Sequence, residues 1–223
     1  MKNILVVSPH PDDETLGCGG TLLKHSSDGD HLHWINITSI QKRYGFSEES
    51  IQKRKKQIEK VNEKYCFVSF HSLDFPTTRL DTIPAGELIN EISSVFNKVL
   101  PEIIYLPFRG DIHSDHKYVF DAVAACTKWF RNPSIMRVLA YETPSETNFH
   151  INTDSSGFHP NVFVNIQDYL EKKIEILKIY DDEIGEFPFP RSEKSLRALA
   201  AFHGTTSGFE AAEAFMLLKE RVE

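Results

Sequence analysis

The chain has 223 residues, 40% of them hydrophobic, which supplies one sizeable core and leads us to expect a single domain over residues 1–223. A formal charge of −7 and a pI near 5.8 exclude a broad nucleic-acid or anionic-membrane surface, because the dominant Coulomb term would be repulsive. Cys18, Cys66 and Cys126 are widely spaced and form no CxxC pair, which excludes a disulfide framework or a cysteine-rich zinc site and fits a reducing cytoplasm.

The run Asn3–Ser8 (NILVVS) is continuous and β-branched, the pattern of a strand covered on both faces. It is too short for a signal peptide, and no 18-residue apolar stretch occurs in the chain, so stable membrane insertion is not expected. Thr15–Ser27 spaces its leucines as a helix does and ends at the turn pair Asp28-Gly29. A second strand follows over His31–Thr38, then a charged amphipathic helix over Glu48–Lys64 and a strand over Cys66–Phe70. Pro84–Val99 reads as a helix with proline at its start, Ile103–Pro107 (IIYLP) as a buried strand, His116–Phe130 as a helix and Met136–Glu142 as a strand. Thr143–Pro160 is a long polar loop of the kind that often serves as a lid or binding loop. Val162–Ile166 is a further strand, Tyr169–Tyr180 a helix, and Glu193–Phe202 a last helical stretch after the loop GEFPFPRS. Helices alternating with buried strands predict an α/β fold, a Rossmann-like doubly wound and mostly parallel sheet flanked by helices.

Ligands of such sheets bind beyond the carboxyl ends of the strands. His10, Asp12, Asp13 and Glu14 follow the first strand, and His113, Asp115 and His116 follow a later one, so two clusters of metal-ligand type fall on one rim. Catalytic zinc takes three ligands from His, Cys or carboxylate and leaves a position open. His10 and Asp13 from one side with His116 from the other would make such a set. Each cluster alone also has a bland reading, an Asp N-cap or an isolated HxDH. Gly17-Cys18-Gly19-Gly20 is not a dinucleotide fingerprint: Leu22 stands where the third glycine belongs, no acid ends the second strand, and Asp12, Asp13 and Glu14 crowd the place a pyrophosphate would take. These glycines are expected to let the first helix pack closely on the sheet.

The chain resembles the LmbE/PIG-L-type zinc-dependent N-deacetylases. Ser8-Pro9-His10-Pro11-Asp12-Asp13-Glu14 matches that family's first motif with one extra residue before His10, and His113-Ser114-Asp115-His116 matches its H-x-D-H. The likeness continues through FPTTRLD, YETPSETNF, PNVFVNI, KKIEILKIY, FPRS and GFEAAEAF. The resemblance implies Zn2+, or another divalent transition metal, one per chain, held by His10, Asp13 and His116. It implies Asp12 as general base, His113 as the group facing the oxyanion or leaving amine, and Asp115 as its orienting carboxylate. Arg54 and Glu14 are expected at the substrate, with Glu14 the next candidate for the base. The family's helix often reads R-x-x-E where this chain has Gln57, an R-G pair stands where it has His203-Gly204, and a related branch has histidine at Phe189.

The expected function is hydrolysis of the acetamide of an N-acetylated sugar of the N-acetylglucosamine type, a small-molecule substrate free, lipid-linked or nucleotide-linked, with no nucleic-acid partner. The alternatives are a deacylase of a non-sugar acylamine and a sugar- or nucleotide-binding module without catalysis.

Overall fold

The first apolar run forms strand β1 (Asn3–Ser8), whose side chains alternate between two cores: Ile4 and Val6 enter one, Leu5 and Val7 the other. A strand buried in this way needs helices on both faces of its sheet. The computed structural model describes residues 1–151 and 157–222 and supplies them. The elements after β1 are α1 (Asp13–Ser27), β2 (His31–Ser39), α2 (Glu48–Tyr65), β3 (Ser69–Pro76), α3 (Ala85–Val99), β4 (Ile103–Pro107) and α4 (Ser114–Cys126). Then come β5 (Arg137–Tyr141), β6 (Val162–Asn165), α5 (Leu170–Leu177), α6 (Glu193–Ser207) and β7 (Ala212–Glu220). Helices α3 and α4 cover Leu5 and Val7 with Ile92, Phe96, Val119 and Val123. The other face is covered by α1, α2, α5 and α6, through Leu22, Tyr65, Ile176 and Leu196.

The seven strands lie in the order β3-β2-β1-β4-β5-β7-β6. From β3 to β5 every pairing is parallel, while β7 runs antiparallel to both β5 and β6. The chain leaves β1 toward β2 and later crosses to β4 on the opposite side. The carboxyl ends of β1 and β4 therefore form the topological switch point, where two diverging connections leave a crevice.

Several boundaries differ from the sequence expectation. Strand β3 starts at Ser69 because Cys66 is the left-handed C-cap of α2 (φ 58), which uses the preceding residues to turn the chain. Helix α4 begins at Ser114 with His113 as its N-cap, and stops at Cys126, whose carbonyl is taken by Asn132 Nδ2 at 2.7 Å. Strand β7 was not foreseen. The expected loop Thr143–Pro160 includes one turn of 3-10 helix at Thr147–Phe149, and its residues 152–156 lie outside the described residues. Among the described residues no helix is long and apolar enough to cross a membrane.

Close packing of α1 is visible at two glycines. A Cβ on Gly17 would lie 2.2 Å from the Tyr141 ring, and one on Gly20 would lie 2.7 Å from Ile166. The helix is also broken at Cys18 (φ −142, ψ 20). Lys173 Nζ takes the Leu16 carbonyl at 2.9 Å, and the Glu213 carboxylate accepts from the N–H groups of Gly20 and Thr21 at 2.8 and 2.7 Å, so both sides of the break are satisfied by one buried ion pair.

Candidate active site

After β1 the chain turns sharply through Pro9–Asp12 into α1. Asp12 sits at φ 132, a conformation that a non-glycine residue holds at a cost of about 1–3 kcal/mol unless its surroundings fix it. The fixing groups come from the motif itself: Glu14 Oε2 accepts the Asp12 N–H at 3.0 Å, and the Asp12 carbonyl accepts from Thr15 and Leu16. Glu14 is fully buried, and its other oxygen accepts from Thr15 Oγ1 and the Tyr180 hydroxyl. It is expected at the substrate, but here it lies beneath the site, away from the pocket lining, and braces the backbone under Asp12. Burial in this apolar setting, against the hydrogen bond from Thr15, pushes its carboxyl up to about 7.

Asp12 and Asp13 turn to different partners, Asp12 to Arg191 and Asp13 to the histidines. Asp13 Oδ2 accepts the His10 N–H at 2.8 Å and lies 3.5 Å from His10 Nδ1 and 3.4 Å from His116 Nε2. Ligands about 2.0–2.1 Å from a tetrahedral zinc stand roughly 3.3–3.4 Å from one another, so this spacing fits a shared ion. Each imidazole is held at its far nitrogen by a carboxylate: His116 Nδ1 meets Asp111 Oδ2 at 2.7 Å, and His10 Nε2 meets Asp115 Oδ2 at 3.0 Å. Such partners fix which ring nitrogen is free to ligate. His113 adds a third imidazole, and one nitrogen from each of the three rings lies within 4.8 Å of the others, a group that could hold a metal ion. Without an ion, burial would lower His10, but hydrogen bonds to Asp115 and Asp13 outweigh it and raise the ring to about 9; Asp13 and Asp111 likewise hold His116 well above its usual value against burial. Those protons stand where a divalent cation would put its charge. The donor set therefore fits a divalent metal.

Asp115 departs from its expected role of orienting His113. Its carboxylate contacts His10 and accepts the N–H groups of Thr78 at 2.7 Å and Leu80 at 3.2 Å, while only its backbone N–H meets His113, donating to Nδ1 at 3.2 Å. His113 Nδ1 is thus an N-cap acceptor for α4, which leaves the proton on Nε2. Burial, with the neighbouring His10 and His116, pushes this imidazole down to about 4, so it is a neutral donor.

The pocket at the rim has a volume of about 210 Å³ and is lined by His10, Asp12, Asp13, His113 and His116 together with Arg54, Thr143 and Arg191. Arg54 lines it, donating to the Pro11 carbonyl at 3.2 Å and pairing with Glu183. Two further residues in contact with this cluster escaped the sequence reading. Arg191, within FPRS, donates through Nη1 to Asp12 Oδ2 at 2.9 Å. Asp111 supports His116 and accepts from Thr147 Oγ1 at 2.6 Å. Its signal was position alone: a carboxylate in the same loop as a ligand-type histidine. His203, at the place where an R-G pair is common in the resembled family, pairs with Glu142, the residue after β5.

Residues 5–127 match the family PIG-L, described as GlcNAc-PI de-N-acetylase. Over 228 residues the chain is 28% identical to the diacetylchitobiose deacetylase of Thermococcus kodakarensis, covering 96% of this chain and 82% of the relative. Its fold is similar to that of the N,N'-diacetylchitobiose deacetylase from Pyrococcus horikoshii, with TM-score 0.78 and 21% identity over 98% of this chain and 84% of that one. GalB, a 4-carboxy-2-hydroxymuconate hydratase from Pseudomonas putida, shares the fold at TM-score 0.76 and 18% identity, over 100% and 98% of the two chains. A hydratase on this scaffold means that the chemistry has to be argued from the site.

Proposed function

The chain belongs to the PIG-L family of GlcNAc-PI de-N-acetylases, and from that premise we propose that it hydrolyses the acetamide of an N-acetylated sugar with the help of one Zn2+ ion. The observation that carries this reading is the convergence of Asp12, the His10–Asp13–His116 donor set and His113 in one pocket at the switch point. His10, Asp13 and His116 would hold the ion. When bound it supplies Lewis acidity to the amide carbonyl and lowers the pKa of water to about 7.

The chain's own groups do the rest. Asp12 is the base: its carboxylate lines the pocket beside Asp13 and takes the proton of the attacking water. His113, a neutral imidazole with its proton on Nε2, donates to the carbonyl oxygen as negative charge develops there. The proton held by Asp12 then passes to the leaving nitrogen, releasing acetate and a free amino sugar. Arg191 opposes the burial and neighbouring charge that favour protonated Asp12, and so favours the carboxylate form that begins the reaction. The diacetylchitobiose deacetylases among the relatives support a sugar substrate. Three unpaired cysteines support a reducing cytoplasm as the compartment.

The test is acetate release from a panel of N-acetylated sugars and non-sugar acylamines, before and after chelation and with Zn2+ restored. Release from a sugar that stops on chelation and returns with zinc is expected. Release only from non-sugar acylamines would move the substrate class, and stoichiometric sugar binding without acetate release would make the protein a binding module.

A further inference from the structure

Two arginines at the mouth of a pocket would ordinarily mark a phosphate or carboxylate site, because the guanidinium fork matches those anions. Here Arg54 and Arg191 line the pocket, but the carboxylates of Asp12, Asp13, Glu146 and Glu183 line it as well.

Glu183 is the carboxylate that both arginines share. Its Oε1 accepts from Arg54 Nη2, and its Oε2 stands 3.1 Å from Arg191 Nη1, the same nitrogen that donates to Asp12. Arg54 spends Nη1 on the Pro11 carbonyl. The two arginine side chains are only 13% and 21% exposed, so each charge depends on partners within the fold more than on water. Asp182 also meets Arg54 Nη2, at 3.3 Å, but it lies outside the pocket lining and is shared with Lys53 and Gln57.

Glu183 is held in place from behind. Its N–H donates to the Tyr180 carbonyl at 2.9 Å in the turn after α5, and Gln57 Nε2 of α2 donates to both Asp181 and Asp182 at 2.9 Å. The counter-charge of Arg54 therefore comes from an acidic turn pinned to α2. An anionic group entering the pocket must displace Glu183 from both guanidiniums or settle beside its charge, and either route lowers affinity. A hydroxyl-bearing, uncharged ring faces neither cost.

We propose that Glu183 is a specificity-determining residue: it occupies the two guanidiniums that would otherwise receive an anion, and so reserves the pocket for N-acetyl sugars without a phosphate or carboxylate on the ring being deacetylated. This rests on the deacetylase reading above.

The test reads binding to the zinc-loaded, full-length protein, with glucosamine, glucosamine 1-phosphate and glucosamine 6-phosphate as probes; none carries an acetamide, so no turnover intervenes. In calorimetry the parent protein should bind glucosamine at least as tightly as either phosphate. Glu183→Gln keeps the size and removes the charge, and should raise the affinity for at least one phosphate, relative to glucosamine, by about tenfold or more. Glu183→Asp, which keeps the charge, should discriminate as the parent does. Adding Arg54→Gln to Glu183→Gln should abolish the gain. A phosphate bound more tightly than glucosamine by the parent, a Gln variant with the parent's preference, or a gain that survives the loss of Arg54 overturns the assignment. Zinc content and a cooperative thermal transition report the fold of each variant. Acetate release by the parent protein from N-acetylated sugars is measured in parallel. Its absence overturns the deacetylase reading, while the phosphate comparison still decides the role of Glu183.

Discussion

Arg191 Nη1 stands 2.9 Å from Asp12 Oδ2, so the carboxylate proposed as base is partnered by a cation from a loop 179 residues along the chain. Burial, reinforced by the Asp13 charge, holds Asp12 well above the usual carboxylate range, and Arg191 opposes both. Without the arginine the base surrenders its proton only at higher pH. Arg191→Ala should therefore move the acidic limb of the kcat/KM profile upward by about 1–3 pH units, with Arg191→Lys returning part of the shift. An unmoved limb would show that Arg191 does not act on Asp12.

The carboxylates behind the two histidines should matter for the metal more than for the chemistry. Asp111→Ala and Asp115→Ala are each expected to weaken zinc binding by about 10–100-fold, the usual cost of losing a carboxylate behind a ligating imidazole, as read by competition with a chromophoric chelator. If Asp115→Ala lowered kcat with zinc affinity intact, its contact with His10 would not be its working one.

Metal binding should depend steeply on pH. In the ion-free protein His10 is raised to about 9, so at neutral pH the ring is protonated and an incoming ion must displace that proton. Affinity is then greatest above pH 9 and falls by up to about tenfold per unit for each proton displaced as the pH drops. Calorimetry in buffers of differing ionisation enthalpy counts the released protons; a count of zero would contradict the assignment of His10.

His113 has two separable duties, one for each nitrogen. His113→Ala should cost on the order of 10²–10³ in kcat, as for one lost oxyanion donor, while zinc content stays near one per chain. It should also lower stability, because Nδ1 caps α4. His113→Asn restores a cap and should recover the stability without recovering the rate. Loss of zinc in either variant would make His113 a ligand.

Glu14 offers a similar separation. Glu14→Gln keeps an acceptor for the Asp12 N–H, since the Thr15 and Tyr180 hydroxyls can accept from its amide in exchange. Glu14→Ala leaves the strained Asp12 backbone without its brace. The expected outcome is a thermal midpoint and turnover near those of the parent protein for Gln, and a drop in both for Ala. A pH-rate profile that loses a limb in Glu14→Gln would instead put Glu14 in the proton transfers.

Much of the fold was legible because buried parallel strands carry a strong signal: Asn3–Ser8 and Ile103–Pro107 have the limits their apolar runs suggest. The site was legible for the same reason, since ligand-type residues directly after such strands must share a rim. Strand β7 was not, because AEAFMLLKE is made largely of good helix formers and becomes a strand only between β5 and β6, where its ladder and the buried Phe215 outweigh propensity. Asp115 misled through adjacency. Near neighbours at a helix start face different ways, and its carboxylate turns to His10 while His113 turns its Nδ1 to the backbone. Arg191 lay beyond reach because nothing local ties it to a motif so distant in sequence.

The break in α1 also bears on how the protein is made. Its second half starts on the carboxylate of Glu213, which lies 193 residues after the Gly20 amide it caps, and the carbonyl freed at Leu16 waits for Lys173. A ribosome that has released only the amino-terminal half has therefore displayed the whole HPDDE segment without the groups that seat it. Until β7 pairs between β5 and β6, the second half of α1 lacks the Glu213 carboxylate that accepts its first N–H groups. Domains rich in such long-range closures fold slowly and pass through open forms, so the helix that follows the first motif is completed only once the last strand is in place.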